Sequence, residues 1–152
     1  MRLYLKQLEL GPLQNFVYLI GSLETREVAV VDPAWDVPQI LEAAAQDEMR
    51  ITTVIITHTH FDHVNGVEEI VRATDAQVIV HKKEATSVPI EKGNLKGIEG
   101  GQEISLGPLT LSFLHTPGHT PGSQCITVGD RLIAGDTLFI GGCGRCDLPG
   151  GD

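Results

Sequence analysis

The segment that most constrains the fold is a short apolar run that ends in a cluster of potential metal ligands. Residues 52–57 read TTVIIT, which is typical of a strand buried on both faces of a sheet. The next six residues, HTHFDH (58–63), contain three of the chain's six histidines and an aspartate. In sheets built from parallel strands, ligands bind beyond the carboxyl ends of the strands. The run and its loop therefore predict a buried strand with a functional site at its end.

Strands and helices alternate along the rest of the chain, which predicts an α/β fold in a single domain, residues 1–152. A helix is expected over about 37–47, where Asp36 can cap it and Pro38 suits its first turn. A second helix is expected over about 65–74, whereas 82–101 is loop-rich without a clear pattern and the end, FIGGCGRCDLPGGD (139–152), is typical of a loop. The remaining strands are predicted at LYLKQLEL (3–10), NFVYLIGS (15–22), EVAVVD (27–32), QVIVH (77–81), EISL (103–106), LTLSFLHT (109–116), QCITVG (124–129) and RLIAGD (131–136).

Composition argues against several classes of partner. The net charge is −9 and no basic patch is visible, so binding to nucleic acid is not expected. No apolar run approaches the roughly 20 residues that span a bilayer, and the first residues carry no secretory signal, so a cytoplasmic protein is expected. The odd number of cysteines (Cys125, Cys143 and Cys146) indicates no disulfide framework. The C-x-x-C spacing of the last two is interpreted as a pair of loop thiols.

The residue types near the strand ends are those that bind zinc, iron or manganese. His58 and His60 are two residues apart, so in an extended backbone they project to the same side. Asp62 and His63 follow within reach. Three other predicted strands are also followed by or end in a candidate ligand or a partner for one: Asp32, His119 and Asp136. This pattern predicts a metal site.

Three motifs carry a resemblance to a known family. The loop has the form H-x-H-x-D-H, and HTPGHTPGS (115–123) and GDTLF (135–139) follow in order. In these motifs the chain resembles the metallo-β-lactamase superfamily, and within it most closely the glyoxalase II-like hydrolases and the persulfide dioxygenases. The resemblance implies a four-layer αβ/βα sandwich in which two mixed sheets pack face to face with helices outside.

The resemblance also implies roles for individual residues. The first metal would be bound by His58, His60 and His119. Asp62 and His63 would bind a second metal, Asp136 would bridge the two ions, and Asp62 is also assigned to catalysis. Asp32 would orient a ligand histidine from behind. Two histidines match no ligand position: His81, expected at the surface, and His115, expected to shape the loop before Pro117.

Two features near the end of the sequence qualify this resemblance. The family places a further histidine after the bridging aspartate, but no histidine follows Asp136 here. The chain therefore resembles a truncated member that lacks the closing elements, and the second metal should bind more weakly than the first. Arg145 would either bind a substrate carboxylate or pair with Asp147 to hold the loop, and the sequence leaves both open.

The function implied is hydrolysis of a glutathione-type thioester by a metal-bound hydroxide. One or two Zn²⁺ ions would serve, with Fe²⁺ or Mn²⁺ as alternatives, and the substrate would be a small glutathione-derived molecule. Two alternatives stay open. One is a mononuclear iron persulfide dioxygenase that uses His58, His119 and Asp136 as ligands. The other is a metal-binding paralogue without turnover. An oligomer is compatible with either.

Overall fold

Two β-sheets and the helices on one of them form the framework of the protein. The computed structural model describes residues 3–12, 15–57, 61–88, 90, 94–115, 124–128, 131–134 and 137–139. In that part the strands are β1 (Leu3–Leu10), β2 (Asn15–Ser22), β3 (Glu27–Val31), β4 (Arg50–Ile55), β5 (Gln77–His81), β6 (Leu95–Ile98), β7 (Glu103–Leu106), β8 (Leu109–His115), β9 (Gln124–Val128), β10 (Arg131–Ala134) and β11 (Thr137–Phe139). The helices are α1 (Val37–Gln46), α2 (Phe61–Val64) and α3 (Val67–Thr74), with a 3₁₀ helix at Lys82–Ser87.

The first sheet is mixed and has the order β1-β2-β3-β4-β5-β6. Its first three strands pair antiparallel, whereas β3, β4, β5 and β6 pair in parallel. The helices α1 and α3 make the crossovers that parallel strands require. The parallel arrangement brings the carboxyl ends of β3, β4 and β5 to the same edge of the sheet.

The second sheet has the order β11-β10-β9-β8-β7. All four of its described pairings are antiparallel, so the expectation of two mixed sheets is wrong for this sheet within the described residues. The reason is local: short turns such as residues 107–108 join consecutive strands directly, and a direct turn can only reverse the chain.

Alternation along the strands of the first sheet divides the core into two layers. Side chains on one face, such as Val30 and Val54, pack against Ile40 and Ile70 of the helices. Side chains on the other face pack against the second sheet, and Phe113 is the largest apolar residue there. Both faces are buried, which explains why these strands read as continuous apolar runs. The described residues thus supply three layers of the sandwich: helices, sheet and sheet.

The predicted elements from β1 to β5 are confirmed with small shifts of their ends. Asp36 caps α1 by accepting a hydrogen bond from the backbone N–H of Gln39 at 3.2 Å, as expected. Three regions correct the prediction. The segment 82–101 contains the 3₁₀ helix and β6, and the short helix α2 occupies positions where a loop was expected. The strand β11 was not predicted, and it includes Phe139, which was expected to begin the closing loop. No helix in the described part of the chain is long and apolar enough to cross a membrane.

Candidate metal centre

The candidate site lies at the edge where the parallel strands end. The hydrogen-bond ladder continues past the strands there, because the N–H of Asp32 donates to the carbonyl of Ile55 at 2.8 Å. The N–H of Ile56 likewise donates to the carbonyl of Ile79 at 2.9 Å. The residue after β3 and the residues after β4 are therefore fixed side by side before any side chain contributes.

Asp32 is the hub of this edge. Its backbone has φ +51°, a left-handed conformation that aspartate adopts more readily than most residues. The carboxylate is 2% exposed and accepts three hydrogen bonds. The donors are the backbone N–H of Thr57 at 2.8 Å, the Thr57 hydroxyl at 2.5 Å and Nδ1 of His63 at 2.9 Å. Three donors offset much of the cost of burying the charge.

The contact with Asp32 decides which form of His63 is present. A carboxylate can only accept, so the hydrogen lies on Nδ1 of the imidazole. The neutral ring then carries its lone pair on Nε2, which is the form in which a histidine binds a metal. His63 is 3% exposed, and its ring orientation is fixed by this bond. His63 is thereby held in the tautomer that metal-binding histidines adopt, and Asp32 makes the kind of contact that an orienting residue would make.

Two further contacts hold the loops after β3 and β4 together. The backbone N–H of Trp35 donates to Oδ1 of Asn65 at 2.8 Å, and the N–H of Gly66 donates to the carbonyl of Pro33 at 3.0 Å. A Cβ at Gly66 would lie 2.9 Å from that carbonyl oxygen, closer than real Cβ atoms come. The absence of a side chain is thus required for this approach, and the His63 segment is anchored independently of Asp32.

The second sheet reaches the same edge through Gln124, the first residue of β9. Its backbone N–H donates to the carbonyl of Thr57 at 2.9 Å. Its side-chain Nε2 donates to the carbonyl of Ile56 at 3.0 Å, across 68 positions of sequence. Gln124 is 2% exposed, so both bonds are shielded from water. Sequence reasoning missed this residue, although a lone amide beginning an apolar strand is a signal that could have found it.

Tyr18 was also missed. Its phenol is 1% exposed and lies in the core between the sheets. Burial raises the pKa of Tyr18, and the negative charge of Asp32 raises it further, so the phenol stays protonated at neutral pH. Its hydroxyl has no hydrogen-bond partner among the described residues.

Most of the predicted ligands lie outside the described residues: His58, His60, His119 and Asp136. The same holds for Arg145 and for the side chain of Asp62. Among the described residues, no three histidine, cysteine, aspartate or glutamate side chains form a group that could hold a metal. The ligand set therefore remains a prediction, and the structure describes the neighbouring contacts among Asp32, Thr57 and His63.

The family to which the chain belongs is shown by a match to a family model. The model of the metallo-β-lactamase superfamily matches residues 10–152, nearly the whole sequence. This chain belongs to the metallo-β-lactamase superfamily. The two facing sheets, with helices on the outer face of the first, are the described part of that superfamily's fold.

Similar proteins of the superfamily are longer than this chain. A probable polyketide biosynthesis zinc-dependent hydrolase, PksB of Bacillus subtilis, is 36% identical over 90% of this chain and 60% of its own length. A hydroxyacylglutathione hydrolase of Anaeromyxobacter dehalogenans is 38% identical over 91% of this chain and 51% of its own. The crystal structure of ETHE1 from Myxococcus xanthus is 31% identical, with a TM-score of 0.79, over 98% of this chain and 64% of its own. The chain thus spans about half to two thirds of these relatives.

His81 was expected at the surface, but it is buried. It ends β5, is 2% exposed, and its Nδ1 accepts a hydrogen bond from the backbone N–H of Lys83 at 3.1 Å. Its ring stacks on that of His115, with the centroids 4.0 Å apart and the planes 20° from parallel. His115 ends β8, so the stack joins the two sheets near the start of the segment that carries His119.

The first prediction concerns Asp32. Replacing it with alanine removes the acceptor shared by the Thr57 N–H, the Thr57 hydroxyl and His63 Nδ1. The metal-free protein should lose roughly 3 kcal/mol or more of unfolding free energy in urea, since a hydrogen bond to a charged group contributes about 1.5–3 kcal/mol. Zinc affinity, measured against a competing chelator, should fall about 10- to 100-fold.

Asp36→Ala is the matched control for Asp32→Ala. It removes an exposed carboxylate that caps α1, so it should cost about 1 kcal/mol and leave zinc affinity unchanged. Equal effects of the two substitutions on stability and affinity would show that Asp32 is not the hub of the site.

The second prediction concerns acid sensitivity. Burial lowers the pKa of His81 most, and His115 lowers it next. Lys83 and Lys82 lower it further, whereas Glu99 acts in the opposite direction. The unfolded chain therefore takes up a proton near pH 6.5 that the folded chain resists. The stability associated with His81 is present above that pH and is lost as the pH falls below it.

A His81→Phe variant should accordingly lose less stability than the wild type between pH 7 and pH 5, because phenylalanine can stack on His115 but cannot titrate. Thermal unfolding at several pH values measures the difference in slope. Ile79→Val is the control: it should lower stability equally at both pH values. Identical slopes for wild type and His81→Phe would refute the assignment.

Proposed function

We propose that this chain is a zinc-dependent hydrolase that cleaves a glutathione-type thioester. Membership of the superfamily supports metal-dependent hydrolysis in general, and the similarity to hydroxyacylglutathione hydrolases supports the thioester. The single observation that carries the proposal is the buried hydrogen bond from His63 Nδ1 in α2 to Asp32, the residue after β3, which holds an imidazole in its metal-binding form.

The residues that would hold the metals are those of the superfamily motifs. His58, His60 and His119 would bind the first ion, and Asp62 with His63 would bind the second. Asp136 would contact both. A bound divalent metal of this kind lowers the pKa of a water molecule, so that a nucleophile forms near neutral pH. The remaining contributions come from the chain itself.

The proposed substrate has a leaving group that needs no proton donor. Among the described residues near Asp32, Tyr18 would be a weak donor, because burial and the charge of Asp32 raise its pKa. A thiolate leaves readily, since free thiols have a pKa of about 8.5, whereas an amine leaving from an amide must be protonated. This supports a thioester over an amide.

The remaining parts of the proposal concern the substrate. Arg145 is proposed to bind a carboxylate of the glutathione moiety by a two-pronged contact, as guanidinium groups do. The net charge of −9 disfavours nucleic acid as a substrate.

The third prediction tests the reaction directly. The zinc-loaded chain should release free thiol from a hydroxyacyl-glutathione thioester under strictly anaerobic conditions. A chelator should abolish this activity and added zinc should restore it. His60→Ala and Asp136→Ala should reduce thiol release to the uncatalysed rate and bind less metal, while Asp36→Ala should match the wild type.

The competing activity gives a different result in the same assay. A persulfide dioxygenase would consume O₂ with glutathione persulfide and release no thiol from the thioester without oxygen. That outcome would overturn the hydrolase proposal. Zinc binding without either activity would also overturn it and would indicate a binding paralogue.

A further inference from the structure

Gln124 makes two hydrogen bonds to the last two carbonyls before the first predicted ligand. Its backbone N–H binds the Thr57 oxygen and its Nε2 binds the Ile56 oxygen. His58 follows Thr57 directly in the chain. Gln124 of the second sheet is therefore hydrogen-bonded to both of the residues that directly precede the HTHFDH segment.

The position of Gln124 in sequence adds a second connection. It is the first residue of β9, and residues 116–123, which include His119, lead directly into it. The residue that precedes the first predicted ligand segment, Thr57, is thus hydrogen-bonded to the residue that follows the second, Gln124. The two hydrogen bonds of Gln124 fix where the start of β9 lies against the residues after β4.

Burying the side-chain amide of Gln124 costs free energy unless the amide forms hydrogen bonds. The backbone bond alone would align β9 with β4, and an apolar residue would fill the same space without desolvating an amide. Moreover, Oε1 of Gln124 is buried and has no hydrogen-bond partner among the described residues. A buried acceptor of this kind suits a metal-binding histidine, because the ring nitrogen that does not bind the metal carries a hydrogen and donates it to a nearby acceptor.

We propose that Gln124 is a positioning residue for the metal centre. Its N–H and Nε2 hold the carbonyls of Thr57 and Ile56, the two residues directly before His58. The inference rests on the proposed metal site and adds a residue that lies outside its ligand motifs. It acts through the ligands and does not itself bind the metal.

Gln124→Met tests the proposal, because methionine has a similar length but neither donates nor accepts as the amide does. Zinc affinity of the metal-free chain, measured by chelator competition, should fall about 10- to 100-fold. The visible absorption spectrum of the cobalt(II)-loaded protein, which reports the number and arrangement of ligands, should change. Loss of stability alone would leave that spectrum as it is in the wild type.

Ile126→Val is the matched control. Ile126 lies two residues further along β9 and is fully buried between the sheets, so the substitution loosens the core without touching Ile56 or Thr57. It should keep the wild-type cobalt spectrum and bind zinc within about twofold of the wild type. Should Gln124→Met fail to fold, Gln124→Glu replaces it: a carboxylate cannot donate to Ile56, so the same changes are expected.

Two results would overturn the inference, and they differ. If the wild type binds zinc and the Gln124 variant matches it in affinity and in cobalt spectrum, Gln124 is not a positioning residue and the proposed function stands. If the wild-type chain binds neither zinc nor cobalt, the proposed metal site itself fails, and the role of Gln124 fails with it.

Discussion

The arrangement of the candidate site depends on the buried carboxylate of Asp32. It accepts from the backbone and the hydroxyl of Thr57 and from Nδ1 of His63, so one side chain holds together the residue just before the HTHFDH segment and the last residue of that segment. A buried carboxylate is unfavourable unless its oxygens are satisfied, and without it each of the three donors would lose this acceptor. This mutual requirement makes the local geometry specific. It also sets the tautomer of His63, and with it the nitrogen that can bind a metal.

The sheets supply what a single carboxylate cannot, which is contact between residues that are distant in sequence. The apolar layer between the sheets brings β9 against β4, and this layer is non-directional. The few polar contacts at this edge set how the two sheets are oriented. Gln124 bonds the carbonyls of Ile56 and Thr57, and the stacked rings of His81 and His115 join the ends of β5 and β8. Apolar burial thus brings the two sheets together, and these contacts define how they are aligned at this edge.

Local patterns in the sequence predict the strands β1 to β5 and the helix α1, because apolar runs, alternation and a capping aspartate are local signals. The strand β6 escaped prediction, since it lies at the edge of its sheet, exposes two of its four residues and contains Gly97. His81 was wrongly expected at the surface because its burial depends on β8, which is distant in sequence. The motifs predicted the ligands and the family, but a contact such as that of Gln124 with Ile56 is visible only once the sheets are paired.

We propose that segments from the two sheets meet at one metal centre beside the Asp32–His63 pair. The decisive measurement is a crystal structure of the zinc-loaded chain, with data collected at the zinc absorption edge. An anomalous peak bound by His58, His60 and His119 at about 2.0–2.1 Å is expected. His63 should still donate to Asp32. Zinc bound elsewhere, for example by Cys143 and Cys146, or His119 lying far from His58, would show that this metal centre does not exist.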